Sequence, residues 1–136
     1  MGYVHRILVL ASILTAGAWN PQNDSSGPNR STADAVYTEA QAQRGEKAYA
    51  DACLRCHPPK QFVGRYLDNW AGNTAGALYE SIASTMPEQR PGNLKPREYA
   101  DILAYIFRLN KLPAGVDELT GDLESLQKIV IERRKK

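Results

Sequence analysis

The chain has 136 residues, 43% of them hydrophobic and 24% charged, with a formal net charge of +2. That length holds one ordinary domain and not two, and so even a charge balance excludes nucleic-acid binding through a broad basic surface. The terminal Glu132-Arg133-Arg134-Lys135-Lys136 is a short basic end, read first as solvated and second as a contact for an acidic partner or a membrane surface.

In chain order, residues 1–18 read as an export signal. Met1 to Arg6 supply a basic start, Ile7 to Gly17 an apolar run, and Ala16-Gly17-Ala18 the small-x-small pattern at which such segments are cut. The run falls short of the roughly 20 residues that span a bilayer. The alternative is an uncleaved N-terminal anchor, and only then is membrane contact expected. Either way the folded part lies outside the cytoplasm. Cleavage after Ala18 removes His5, Met1 and Arg6, which leaves one histidine, one methionine, and 16 basic against 15 acidic residues.

Residues 19–37 read as a flexible leader, because Trp19 to Ala33 is rich in Asn, Ser, Pro and Gly. A first helix is expected from about Thr38 to Asp51, capped by Thr38 with Gln41 reaching back. Its inward stripe is Gly45, Ala48, Tyr49 and Ala52. A glycine inside a helix costs stability, so Gly45 implies the close approach of another helix. A further helix is expected from about Thr74 to Ser84, leading into Thr85-Met86-Pro87 and the loop Pro87 to Asn93. The strongest pattern runs from Pro96 to about Leu109. There Tyr99, Ile102, Leu103, Ile106 and Phe107 recur on one helical face. Pro96 suits the first helical position, Glu98 complements the positive end, and Lys95 is a poor cap. Residues 116–136 form a C-terminal extension whose segment 122–132 reads equally as a short helix or an extended strap. No run of alternating strands stands out, and the fold class is all-α.

Both cysteines and the one remaining histidine stand together as Cys53-x-x-Cys56-His57. A structural zinc site needs four ligands, and this region offers three at most. A thioredoxin-like redox pair expects a βαβ setting. A plain disulfide suits an exported protein but leaves His57 unused. Covalent haem attachment uses every residue: two thiols one helical turn apart add to the two vinyl groups, and the next residue brings its imidazole to iron. The expected cofactor is therefore one haem c with its iron.

Three segments carry a family resemblance: Arg44 to His57 ("RGEKAYADACLRCH"), Thr85 to Leu94 ("TMPEQRPGNL") and Arg97 to Asn110 ("REYADILAYIFRLN"). Residues 38–115 resemble class I cytochrome c domains, in particular small monohaem cytochromes serving periplasmic oxidoreductases such as quinoprotein and molybdenum dehydrogenases. The resemblance implies the cytochrome c fold, with three main helices and loops around the haem. It implies that Gly45 and Tyr49 cross the last main helix at Tyr105, and that Met86, held by Pro87, is the second axial iron ligand beside His57. Met86 is also the one thioether left after export. Two departures stand out. Pro58 and Pro59 follow His57 directly, so which carbonyl orients its ring is open. The segment from His57 to Met86 is short, which implies a trimmed middle and a more exposed haem edge.

Arg65 and Trp70 read either as propionate contacts, through a guanidinium and an indole N–H, or as a surface arginine and an edge-packed tryptophan. Phe62, Tyr66 and Tyr79 read as pocket wall or core. The function expected is one-electron transfer by a periplasmic protein that is not itself an enzyme, acting as a soluble carrier or as the haem subunit of a dehydrogenase. The expected partner is a redox protein such as a periplasmic dehydrogenase, and not a nucleic acid. The alternative is a haem protein with an open or displaceable sixth position that binds gas or peroxide.

Overall fold

A computed structural model describes residues 30–133, so the export signal and residues 19–29 of the expected leader lie outside the described residues. The order is β1 (Arg30–Ser31), α1 (Glu39–Ala52), a 3-10 turn (Pro59–Phe62), α2 (Arg65–Asp68), α3 (Ala75–Thr85), α4 (Pro96–Leu109), α5 (Leu123–Gln127) and β2 (Ile129–Val130). The domain is all-α as expected, with two short strands added. None of the described helices is long and apolar enough to cross a membrane.

Each main helix starts where its cap dictates. Thr38 is extended and its Oγ1 accepts the Gln41 N–H at 3.0 Å, while Thr74 does the same for Ala77 at 3.1 Å. Lys95 contributes no side-chain cap to α4; instead its N–H donates to Glu98 Oε2 at 2.7 Å. Glu98 therefore serves as a hydrogen-bond acceptor at the helix start as well as a charge. The reciprocal bond expected from Gln41 does not form. Its amide is fully buried and pairs twice with the backbone of Leu119, donating to its carbonyl and accepting its N–H, both at 2.8 Å.

α4 is the central element. The five residues of its expected stripe are buried, and so is every other residue from Tyr99 to Phe107, because neighbours cover it on several sides. Its most extensive contact is with α1. At the crossing, a Cβ on Gly45 would overlap the Asp101 carbonyl and stand 3.1 Å from the Ile102 nitrogen. The partner of Gly45 is thus the Asp101–Ile102 backbone, one turn before the expected Tyr105. Tyr105 meets Tyr49 instead, with ring centroids 5.2 Å apart. Arg44 closes the crossing with a two-pronged bond to Asp101 (3.1 and 3.2 Å) and a third to Glu118 at 2.8 Å.

The regions read as leader and extension are not loose where the structure describes them. Thr32, Val36 and Tyr37 are buried at one end of the chain, and Leu119, Leu126, Ile129 and Ile131 at the other. β1 and β2 pair in parallel, Arg30 with Ile129 and Ser31 with Val130. Thr32 extends the pairing by donating its N–H to the Val130 carbonyl at 2.9 Å, and its Oγ1 accepts the Glu132 N–H at 3.0 Å. Segment 122–132 is both of the expected alternatives in succession, a short helix capped by Asp122 and then a strand.

Two clusters of buried apolar side chains result. The larger joins Val36 and Tyr37 to Leu67, Leu78, Leu103, Phe107 and the C-terminal segment. The smaller gathers Tyr49, Ile102, Tyr105 and Ile106, with Phe62, Tyr66 and Cys53 packed against it. The smaller cluster forms the floor of the site.

Candidate functional site

The helical hydrogen bonds of α1 continue past its end. The Tyr49 carbonyl accepts from both Cys53 and Leu54, and the Cys53 carbonyl from both Cys56 (3.1 Å) and His57 (2.9 Å). One compact turn therefore carries both thiols and delivers the imidazole immediately after them. The Tyr49 hydroxyl donates to the His57 carbonyl and ties this turn back to α1. Burial, reinforced by the neighbouring Cys53 and Tyr105, pushes that hydroxyl up to about 12.

Met86 arrives from another direction. It ends α3, where its N–H bonds the Ile82 carbonyl at 2.9 Å. Its own carbonyl accepts the Tyr99 hydroxyl of α4 at 2.6 Å, and Pro87 follows in a cis peptide. Two adjoining cavities share Cys53, His57 and Met86 in their walls. The wider, about 600 Å³, also takes Cys56, Arg55, Arg90 and Asn93. The narrower, about 190 Å³, runs inward to Tyr49, Phe62, Tyr66 and Ile102. Cofactor pockets commonly span roughly 300–1,000 Å³ with mostly apolar walls and a few convergent polar groups, and the pair fits that description.

The donor set identifies what would fit. Both thiols are free, and burial raises the pKa of Cys53, keeping it a neutral thiol. Among the described residues, no group of three or more His, Cys, Asp or Glu side chains could hold a metal ion by itself. One imidazole and one thioether can hold iron only where a ring supplies the remaining ligands. Cys53 and Cys56 would hold such a ring, and the apolar floor from Tyr49 to Ile106 would receive its face.

The other residues singled out from sequence fall elsewhere. Arg65 and Trp70 line neither cavity. Trp70 packs against the larger cluster, and the Tyr66 hydroxyl is shifted up by burial. Tyr79 also packs on the larger cluster and meets Tyr99 edge-on at 6.0 Å. Phe62 and Tyr66 are pocket wall as expected. The cationic groups that do line the wider cavity, Arg55 and Arg90, escaped sequence reasoning, although Arg55 lies inside the Cys-x-x-Cys loop. So did Asn110. This buried residue donates to the carbonyls of Phe62 (2.8 Å) and Ile106 (2.9 Å), accepts the Gly64 N–H at 2.9 Å, and so pins the loop after His57 to α4.

One cleft thus gathers two thiols on one turn, an imidazole beside them and a thioether from a second element. Residues 40–106 match the family model described as cytochrome C oxidase, cbb3-type, subunit III. The matched stretch contains the cysteine pair, His57, Met86 and most of α4, and it supports a c-type cytochrome that transfers electrons rather than transforming a substrate. No curated protein and no solved structure matches the chain.

Proposed function

We propose that this chain is an exported one-electron carrier of the class I kind, holding one haem c through Cys53 and Cys56 with His57 and Met86 as axial ligands. The observation that carries the reading is the meeting of these four side chains in one cleft, from elements about 30 residues apart along the chain. The haem would supply reversible one-electron chemistry at its iron. The residues do the rest. Cys53 and Cys56 fix orientation, and Tyr49, Phe62, Tyr66, Ile82, Ile102 and Ile106 exclude water from one face. Arg55, Arg90 and Asn93 offer charge and hydrogen bonds to anionic groups at the cleft mouth.

A thioether is a soft donor and favours the reduced metal, so the potential lies above that of a bis-histidine site. The partner is a redox protein outside the cytoplasm. The sequence resemblance suggests a dehydrogenase, and the description of the matching family adds an oxidase to the candidates. The test is spectroscopic. The oxidised protein shows the methionine-to-iron charge-transfer band, Met86→Ala abolishes it, and reduced wild-type protein takes up carbon monoxide slowly or not at all. Fast, tight carbon monoxide binding by the wild type would instead establish the open-site alternative.

A further inference from the structure

We propose that Gln61 is the positioning residue of His57: its side-chain carbonyl accepts the imidazole Nδ1–H and thereby sets how strongly the ring donates to iron. The inference rests on the reading of His57 as an axial ligand. His57 Nδ1 lies 3.3 Å from Gln61 Oε1. An amide oxygen can only accept, so the facing ring nitrogen carries the proton and Nε2 keeps its lone pair for a metal.

The backbone here leaves the task to a side chain. Pro58 and Pro59 follow His57, and three of the nearby carbonyls are engaged: that of His57 by the Tyr49 hydroxyl, that of Pro58 by the Gln61 N–H at 2.9 Å, and that of Lys60 by the Val63 N–H at 3.4 Å. The 3-10 turn carrying Gln61 is also fixed at its far end. Asn110 holds the Phe62 carbonyl and the Gly64 N–H, and the Phe62 ring sits edge-on to His57 (5.8 Å) and to Tyr66 (4.7 Å). Gln61 therefore faces His57 from a pinned turn and itself lines the narrower cavity.

A hydrogen bond at the remote nitrogen of a ligating imidazole fixes its tautomer and raises its basicity. Greater basicity favours the oxidised metal. A neutral amide at this length is a moderate acceptor, a carboxylate a stronger one, and an aliphatic side chain none.

The experiment compares wild-type holoprotein with Gln61→Leu and Gln61→Glu by potentiometric titration, and follows exchange of the His57 Nδ1–H in the reduced state by NMR. Gln61→Leu is expected to raise the potential and Gln61→Glu to lower it. Each shift corresponds to a threefold to tenfold change in the oxidised-to-reduced stability ratio, where tenfold is about 59 mV for one electron. Exchange should be fastest in Gln61→Leu and slowest in Gln61→Glu. A merely loosened pocket would move both potentials in the same direction. Unchanged potentials, shifts of one sign, or a protected Nδ1–H in Gln61→Leu would overturn the proposal. His57→Gly with added imidazole separates the two readings. Loss of the low-spin spectrum and its return with imidazole establishes the ligand, so that failure of the Gln61 variants then counts against Gln61 alone. If His57→Gly leaves the spectrum intact, both readings fall.

Discussion

Tyr99 and Tyr49 show how single hydroxyls hold the two sides of the cleft. Tyr99 donates to the Met86 carbonyl from a buried ring on α4. Tyr99→Phe leaves that carbonyl without its donor, so we expect a loss of about 1–2 kcal/mol in stability. We also expect faster carbon monoxide uptake by the reduced protein, measured by stopped flow. Stability unchanged by denaturant titration would show that the bond contributes nothing. Tyr49 gives a pH dependence. Its folded-state pKa is about 12 against roughly 10 unfolded. The unfolded chain therefore releases this proton first, and the stability present below about pH 10 is lost as pH rises toward 12. Burial also raises the hydroxyl pKa of Tyr37, Tyr66, Tyr79 and Tyr105, and so adds to the same decline. Tyr49→Phe should be less stable at pH 7 yet lose less between pH 10 and 12, as read from melting temperature against pH. At this scale the grouping of Cys53, Cys56, His57 and Met86 in one cleft was legible because such residues are rare in this chain and the first three are closely spaced. Arg55, Arg90 and Gln61 were not, since an arginine or glutamine has the same appearance in a sequence whether it faces water or a cleft.

Among the elements, the α1–α4 crossing is the joint on which the site depends, because α1 leads into the thiols and α4 supplies the floor. Gly45 permits the contact, and any side chain there meets the Asp101 backbone. Gly45→Ala should cost about 1–3 kcal/mol, the usual range for overpacking, despite the better helix propensity of alanine. A melting temperature equal to or above wild type would refute this contact. The stripe on α4 and the caps at Thr38 and Thr74 could be read directly, since periodicity and capping are local. The partner of Gly45 was misplaced by one turn because spacing along one helix does not fix its register against another. The ordered ends were missed for a related reason. Val36 and Tyr37 stand in polar surroundings, and Leu119, Leu126, Ile129 and Ile131 are scattered; only the tertiary pairing of β1 with β2 and of Gln41 with Leu119 makes them core.

For the molecule as a whole, the partly buried side chains packed on the smaller cluster, Phe62, Tyr66 and Ile82 among them, face a cleft. A domain this small has little stability to spare, and water on Phe62, Tyr66 and Ile82 removes part of it. The haem-free chain is therefore expected to be largely unfolded by circular dichroism, and a native-like spectrum without haem would count against that. Removing residues 119–133 should be equally disruptive, because each of the four buried aliphatic side chains lost contributes about 1.5–3 kcal/mol; the check is whether the shortened chain still yields soluble holoprotein. The parallel pairing of β1 with β2 has a mechanical consequence. Tension applied at Arg30 and at Val130 pulls these strands in opposite directions along their length, so their hydrogen bonds are sheared together instead of peeled one by one. Under load this small clasp yields as a unit.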